Sequence, residues 1–296
     1  MAESTAIQLK RRQGLVAVAL RRLRGEVLFY LLLLFVSFLL LFPFYWGFIT
    51  SLKFEKEIFD FTGNLLWVKN PSLANYQTLF KTPRFFIWLR NTMLVSTVTT
   101  VLSVIVSIMA GYSIARLKFR GVTAASVIVF VTYLAPKGLL FVPLAQILND
   151  WNLLGGLPAL IITYPTFLIP FCTWLLSGYF SNVPVEPEEC AMIDGASRIG
   201  AIIRVTLPMA WPGILTAAIF SFTLSWNELL YSLAFVRGEE NRLLTNGVMS
   251  AFARSDIYFW GPLMAASTLA SVPVALLYFL FMDRFVGGIT AGATKG

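Results

Sequence analysis

Between residues 186 and 208 the sequence reads EPEECAMIDGASRIGAIIRVTLP. Glu186, Glu188, Glu189, Asp194, Arg198 and Arg204 crowd into this stretch, although the segments on either side are almost wholly apolar. Charge at this density suits acid–base chemistry, metal binding or recognition of another protein. The first two lack their usual partners. The chain has no histidine, which removes the commonest general base and the commonest metal ligand. Its two cysteines, Cys172 and Cys190, form no CxxC pattern, so neither a metal cluster nor a disulfide framework is implied. A serine nucleophile would have no histidine base, and although composition leaves a Ser-Lys pair open, no local signature marks one. The phosphate cradle GxxxxGK[S/T] is absent as well, so no ATP site of that kind is expected.

The elements that position this stretch follow from composition. Of the 296 residues, 57% are hydrophobic and 13% charged. A soluble domain carries roughly 25% charged residues, so the shortage points to a membrane. A spanning helix needs roughly 20 apolar residues to cross about 30 Å of hydrocarbon. Six segments qualify, at 27–52, 91–115, 122–147, 157–180, 209–236 and 258–282. Four of them contain no charged side chain, and the exceptions are Lys137 and Glu228. The runs are continuous rather than alternating, which excludes a transmembrane β-barrel. The expected fold class is therefore an all-α polytopic membrane protein with six transmembrane helices. The first run is too long for a removable signal peptide. Residues 1–26 read as a cytoplasmic basic tail, 27–284 as the six-span domain and 285–296 as a cytoplasmic C-terminal tail.

Positive charge orients the spans. With the N-terminus inside, the cytoplasmic segments hold 13 Lys and Arg against 9 outside, and the dense clusters Lys10–Arg24 and Arg116/Lys118/Arg120 both fall inside. The net charge of +8 is thus accounted for by topology and lipid headgroups, and no nucleic acid is implied. The outer segment 53–90 mixes charge with Phe54, Phe59, Trp67 and Tyr76 and is expected to fold onto the membrane surface.

The 186–208 stretch then lies in the cytoplasm between spans four and five. Pro187 suits a first helical turn, and Glu188 and Glu189 favour the positive end of the helix dipole. Gly195 supplies a left-handed position that ends the helix after about two turns. Ser197 can cap a second helix, on which Ile199, Ile202 and Ile203 share one face. Pro208 and Pro212 bound the passage into span five. The result is a helix–turn–helix elbow. Its acidic first helix suits a second protein, and spacing alone fits an elbow without a partner equally well.

Within the elbow, Glu189-Cys190-Ala191, then three residues, Gly195, then nine residues, and Val205-Thr206-Leu207-Pro208 resemble the signature of the membrane subunits of ABC importers. Cys190 stands where that pattern has Ala, and Val205 where it has Ile. Ile193-Asp194-Gly195-Ala196-Ser197 is similar to the carbohydrate branch. Gly111–Arg116 with Phe119-Arg120-Gly121, Trp226-Asn227-Glu228 and the ending Gly288–Gly296 resemble the same family, the last its shorter maltose-permease-type subunit. The resemblance covers about residues 25–296.

It implies an importer permease working with a second permease subunit, two cytoplasmic ATPase subunits that hold ATP and Mg, and an extracytoplasmic sugar-binding protein. The elbow would dock on the ATPase through Glu189, Ala191, Asp194, Gly195, Ala196, Leu207 and Pro208. The tail Thr290–Gly296 would reach toward the ATPase dimer. Asn246, Gly247, Met249 and Tyr258 would face the binding protein.

Lys137 and Glu228 sit at membrane depth, where ionisable groups are costly and suggest function. They are expected to face the interior, pairing or lining the sugar path, unless each bonds a neighbouring helix separately. Prolines 136, 143, 165 and 170 free backbone carbonyls in spans three and four. Tyr133, Tyr164, Trp226 and Asn227 add aromatic and polar groups that serve either sugar contact or packing. The alternatives are an importer of a glycerol phosphate, polyol or sulfonated sugar, for which Lys137 is the hint, and more distantly an intramembrane enzyme. A secondary transporter is disfavoured because its half-helix repeats are not visible.

Overall fold

The computed structural model describes residues 2–293 apart from 61, 64, 255 and 256, with side chains from 25 to 282 except at Arg254. Helix α1 (Ala2–Ser51) carries the first apolar run, Gly25–Ser51, whose most apolar stretch has no buried residue. The predicted tail 1–26 continues the backbone of that helix, while its basic side chains lie outside the described residues. The loop after it runs through α2 (Glu55–Ile58) and α3 (Ala74–Lys81). Asn75 Nδ2 donates to the carbonyls of Ser51 (2.9 Å) and Lys53 (2.8 Å), fastening α3 to the end of α1.

Helix α4 (Phe85–Arg116) is the central span. Its buried face, Val95, Ser96, Thr99, Ser103, Ser107 and Gly111, repeats small residues three or four apart. Small residues let helix backbones approach closely in lipid, where no hydrophobic force drives helices together. A Cβ on Gly111 would meet Leu176 Cβ and Ser177 N at 3.1 Å, which shows how near the later helix carrying those residues lies.

The predicted third span, 122–147, is not one rod. Helix α5 (Val122–Leu134) and α6 (Lys137–Asp150) meet at 95°. Pro136 lacks an N–H and forces Ala135 out of the helical region, to φ −63° and ψ 129°. Helices α7 (Leu157–Thr163) and α8 (Pro165–Asn182) together make one 26-residue apolar segment.

The chain then enters α9 (Glu186–Ile193), α10 (Arg198–Ala201), a π-helical turn at Ile202–Thr206 and α11 (Leu207–Met209). Helix α12 (Trp211–Trp226) leaves this run at a bend of 75°. The predicted fifth span, 209–236, is therefore shorter. It stops at Trp226 because Asn227 Nδ2 turns back onto the Thr223 carbonyl (2.9 Å) and Glu228 caps the next helix instead. That helix is α13 (Leu230–Phe235), followed by α14 (Leu244–Phe252) and a two-residue hairpin, β1 (Ala253–Arg254) with β2 (Ile257–Tyr258), in which Ala253 faces Tyr258.

Helix α15 (Trp260–Ala293) closes the chain and packs along α1. Its backbone runs through most of the predicted tail, where side chains from 283 onward and all of Thr294, Lys295 and Gly296 lie outside the described residues. Among the described residues, four helices are long and apolar enough to cross a membrane, or up to six if each bent pair is one span. The buried core falls into three clusters, around Trp88 and Trp226, around Tyr164 and Tyr231, and around Tyr112 and Phe180.

Candidate functional site: the elbow and the cavity behind it

The 186–208 segment folds from local rules. Pro187 occupies the first turn of α9. Gly195 adopts φ +94°, its N–H donates to the Met192 carbonyl (3.1 Å), and the Ala196 N–H donates to Ala191 (3.0 Å). Those two bonds are a Schellman motif, which satisfies carbonyls that a helix end otherwise leaves open. Ser197 caps α10 as expected, its Oγ accepting from the Gly200 N–H at 3.2 Å. The expected isoleucine face is split, with Ile202 packed against the Tyr112 and Phe180 cluster and the other two open. Ile199 is 70% exposed and Ile203 58%, and Ile193 at the tip is 85% exposed. Glu189, Asp194 and Pro208 are exposed too, while Ala191, Ala196 and Leu207 are half-buried. The elbow thus presents an acidic and apolar outer surface.

Its inner surface was missed by sequence reasoning. Glu188, 6% exposed, turns away from its neighbour Glu189 and into the protein. One carboxylate oxygen accepts from the Tyr112 hydroxyl, and the other from Thr206 Oγ1 at 2.8 Å. Arg116, one turn beyond Tyr112 on α4, donates to the Val183 carbonyl just ahead of α9. The family signature picks out Glu189 but leaves Glu188 without a role, because which carboxylate points inward depends on how α9 lies against α4.

A cavity of about 330 Å³ between α5, α6, α8 and α12 is lined by Tyr133, Phe167, Phe171 and Phe220, with Lys137 as its charged lining residue. Tyr133 stacks on Trp174, with centroids 5.8 Å apart. Lys137 Nζ lies 4.0 Å from the centroid of the Phe167 ring, a cation–π contact that stabilises an ammonium away from bulk water. Among the described residues Lys137 forms no ion pair with Glu228. The Lys137 charge lies within electrostatic reach of the Glu228 carboxylate, and Tyr231 ties the two segments together, its hydroxyl donating to the Lys137 carbonyl (3.1 Å) and its N–H to Glu228 (2.9 Å). Glu228 lines no part of this cavity. It is buried and spends its carboxylate on the first N–H groups of α13.

A family model described as the binding-protein-dependent transport system inner membrane component matches residues 103–290. The chain is 36% identical over 259 residues to the sulfoquinovosyl glycerol transport system permease protein SmoH of Agrobacterium fabrum, covering 86% of this chain and 89% of that protein. It is 30% identical over 280 residues to the trehalose/maltose transport system permease protein MalG of Thermococcus litoralis, covering 93% and 100%. The chain belongs to the binding-protein-dependent transport system inner membrane components. Its fold is that of a chain in the crystal structure of a bacterial ABC transporter that imports the acidic polysaccharide alginate, with a TM-score of 0.76 at 20% identity over 89% of this chain and 97% of that one.

As a member of that family the chain is a multi-pass inner-membrane transport permease. Several expected contact residues nevertheless serve packing. Tyr164 is wholly buried against Phe167 and Tyr231. Trp226 is buried, with its indole N–H donating to the Ala270 carbonyl (3.1 Å), while Asn227 beside it is exposed. Both border a second cavity of about 240 Å³. Asn246 and Gly247, expected to face the binding protein, are buried within the chain. Asn246 is buried and donates to the Ser232 carbonyl (3.2 Å), and Gly247 lies under the Trp88 ring, where a Cβ would come within 2.2 Å. Both fall on the inward face of α14, whereas Met249 and Tyr258 are exposed.

Proposed function

We propose that this permease is one of two membrane-spanning subunits of an ATP-driven, binding-protein-dependent carbohydrate importer. Six apolar segments cross the membrane, α5 with α6 forming one bent span, α7 with α8 the next and α12 the fifth, with both termini in the cytoplasm. Residues 186–208 dock on an ATPase subunit and carry its closure to the spans. ATP and Mg belong to that partner. The observation that carries this reading is the elbow's outer surface. Glu189, Ile193, Asp194 and Ile199 project outward, and the Glu189 and Asp194 side chains bond to nothing else among the described residues. A two-turn helix with open isoleucines is marginal in water and needs a covering surface. Met249 and Tyr258 offer the exposed contacts for a binding protein, and the relatives named for trehalose, maltose and sulfoquinovosyl glycerol transport support a sugar as solute.

Co-purification tests this reading. Tagged wild-type chain brings down two ATPase subunits and a second permease, and Glu189→Ala loses ATPase subunits while remaining in the membrane. Wild-type attachment and uptake by Glu189→Ala and Gly195→Ala would overturn it. A second reading, that the sugar is anionic, is favoured by Lys137, a cation on the wall of an aromatic cavity that forms no direct ion pair among the described residues. Competition of uptake by sulfonated against neutral glycosides decides between the two.

A further inference from the structure

Two adjacent carboxylates of α9 face opposite ways, and only the outward one has so far been given a task. We propose that Glu188 is the positioning residue that rivets the elbow to the membrane body. This rests on the reading of 186–208 as the segment that carries ATPase motion. The carboxylate joins three elements that are distant in sequence, α9 itself, the last turn of α4 through Tyr112 (76 residues away), and the π-helical turn through Thr206 (18 residues away). All three side chains are buried, with Glu188 at 6%, Tyr112 at 4% and Thr206 at 1%.

The chemistry makes the joint stiff. A carboxylate accepting two hydroxyl hydrogens forms charge-assisted bonds, shorter and roughly twice as strong as neutral ones. The Tyr112 ring is itself held edge-on to Phe180 of α8, with centroids 5.9 Å apart. Arg116 grips the Val183 carbonyl, so α4 holds the elbow at its lead-in as well as at its centre. Arg116 and Arg198 are both within electrostatic reach of the Tyr112 hydroxyl.

The third attachment lies where bending is easiest. The π-helical turn Ile202–Thr206 precedes the 75° bend into α12, and π-helical turns break the regular ladder of helix hydrogen bonds. Without the Thr206 bond, a push on the elbow would be absorbed by that turn. With it, α9, the end of α4 and the entry to α12 move as one body. Glu189 then attaches the motor and Glu188 transmits its stroke.

The test uses the whole importer, with both permeases, the ATPase subunits and the binding protein, in proteoliposomes. Uptake, ATP hydrolysis and ATPase retention are measured together. Glu188→Ala is expected to retain the ATPase subunits and their hydrolysis while solute moved per ATP falls by about 10-fold or more, because two buried hydroxyls lose their acceptor. Glu188→Gln, which keeps one acceptor oxygen, is expected to recover most of that ratio. Tyr112→Phe deletes a single oxygen, leaves the ring against Phe180 and so guards against a folding failure. It is expected to lower the ratio about 3- to 10-fold alone and to add nothing to Glu188→Ala.

A wild-type ratio in both Glu188→Ala and Tyr112→Phe overturns the rivet, as does an unchanged ratio with uptake and hydrolysis falling together. Loss of the ATPase subunits from Tyr112→Phe also overturns it, since that variant leaves the outer surface untouched. If Glu189→Ala sheds the ATPase while the Glu188 variants stay coupled, only the rivet fails. If Glu189→Ala stays attached and active, the elbow reading itself has failed.

Discussion

Replacing Gly195 by alanine separates backbone strain from contact. Its φ of +94° lies where side chains with a β-carbon are disfavoured, and a Cβ built there meets nothing within 4 Å. Steric clash with neighbours therefore contributes nothing, and the whole cost is conformational. Holding a non-glycine residue in such a region costs about 1–3 kcal/mol. That is about a 5- to 150-fold shift away from the Schellman turn that sets the angle between α9 and α10. Asparagine tolerates left-handed backbone better than alanine, so Gly195→Asn should fall between wild type and Gly195→Ala. The assay is ATP-dependent uptake by the reconstituted importer, with the amount of permease in the membrane as control. Membrane insertion should be unchanged, because the turn lies outside the apolar segments. Uptake should fall in the order glycine, asparagine, alanine. Equal loss in both variants would refute the backbone argument, since it would mean that the position tolerates no side chain for reasons of contact. Full activity of the alanine variant would refute the need for the turn.

Three further outcomes follow from particular contacts. Gly247→Ala forces a Cβ to within 2.2 Å of the Trp88 ring and should lower the stability of the purified protein by about 1–3 kcal/mol, read as an earlier thermal transition. Glu228→Ala removes the acceptor for the Tyr231 and Ser232 N–H groups and should cost about 0.5–2 kcal/mol, with Glu228→Gln milder, measured the same way. Lys137→Met keeps the bulk beside Phe167 and removes the charge. It should raise the uptake KM about 10-fold or more for an anionic sugar and leave a neutral one within about 2-fold, because bonds to charged groups contribute about 1.5–3 kcal/mol.

Local chemistry in the sequence was enough for a good part of this molecule. Runs of apolar residues determined which segments are long enough for a membrane, since backbone groups in lipid must bond within their own helix. Pro187, Gly195 and Ser197 determined the elbow's start, turn and second cap, because each acts on its own backbone or on groups within three residues. Pro136 announced a break, though its 95° bend came only with the packed helices. The tertiary structure decided what each charge does. Glu188 and Glu189 are adjacent and identical in type, and only the approach of α4, 76 residues earlier, buries one and leaves the other exposed. Lys137 and Glu228 lie within electrostatic reach of each other, yet their direct contacts differ, an aromatic ring for the ammonium and helix N–H groups for the carboxylate. Asn246 and Met249 lie on one short helix, and the Trp88 ring under its inner face settles which of them faces out. Backbone preference is a property of a few consecutive residues, whereas the direction of a side chain depends on surfaces brought together from far along the chain.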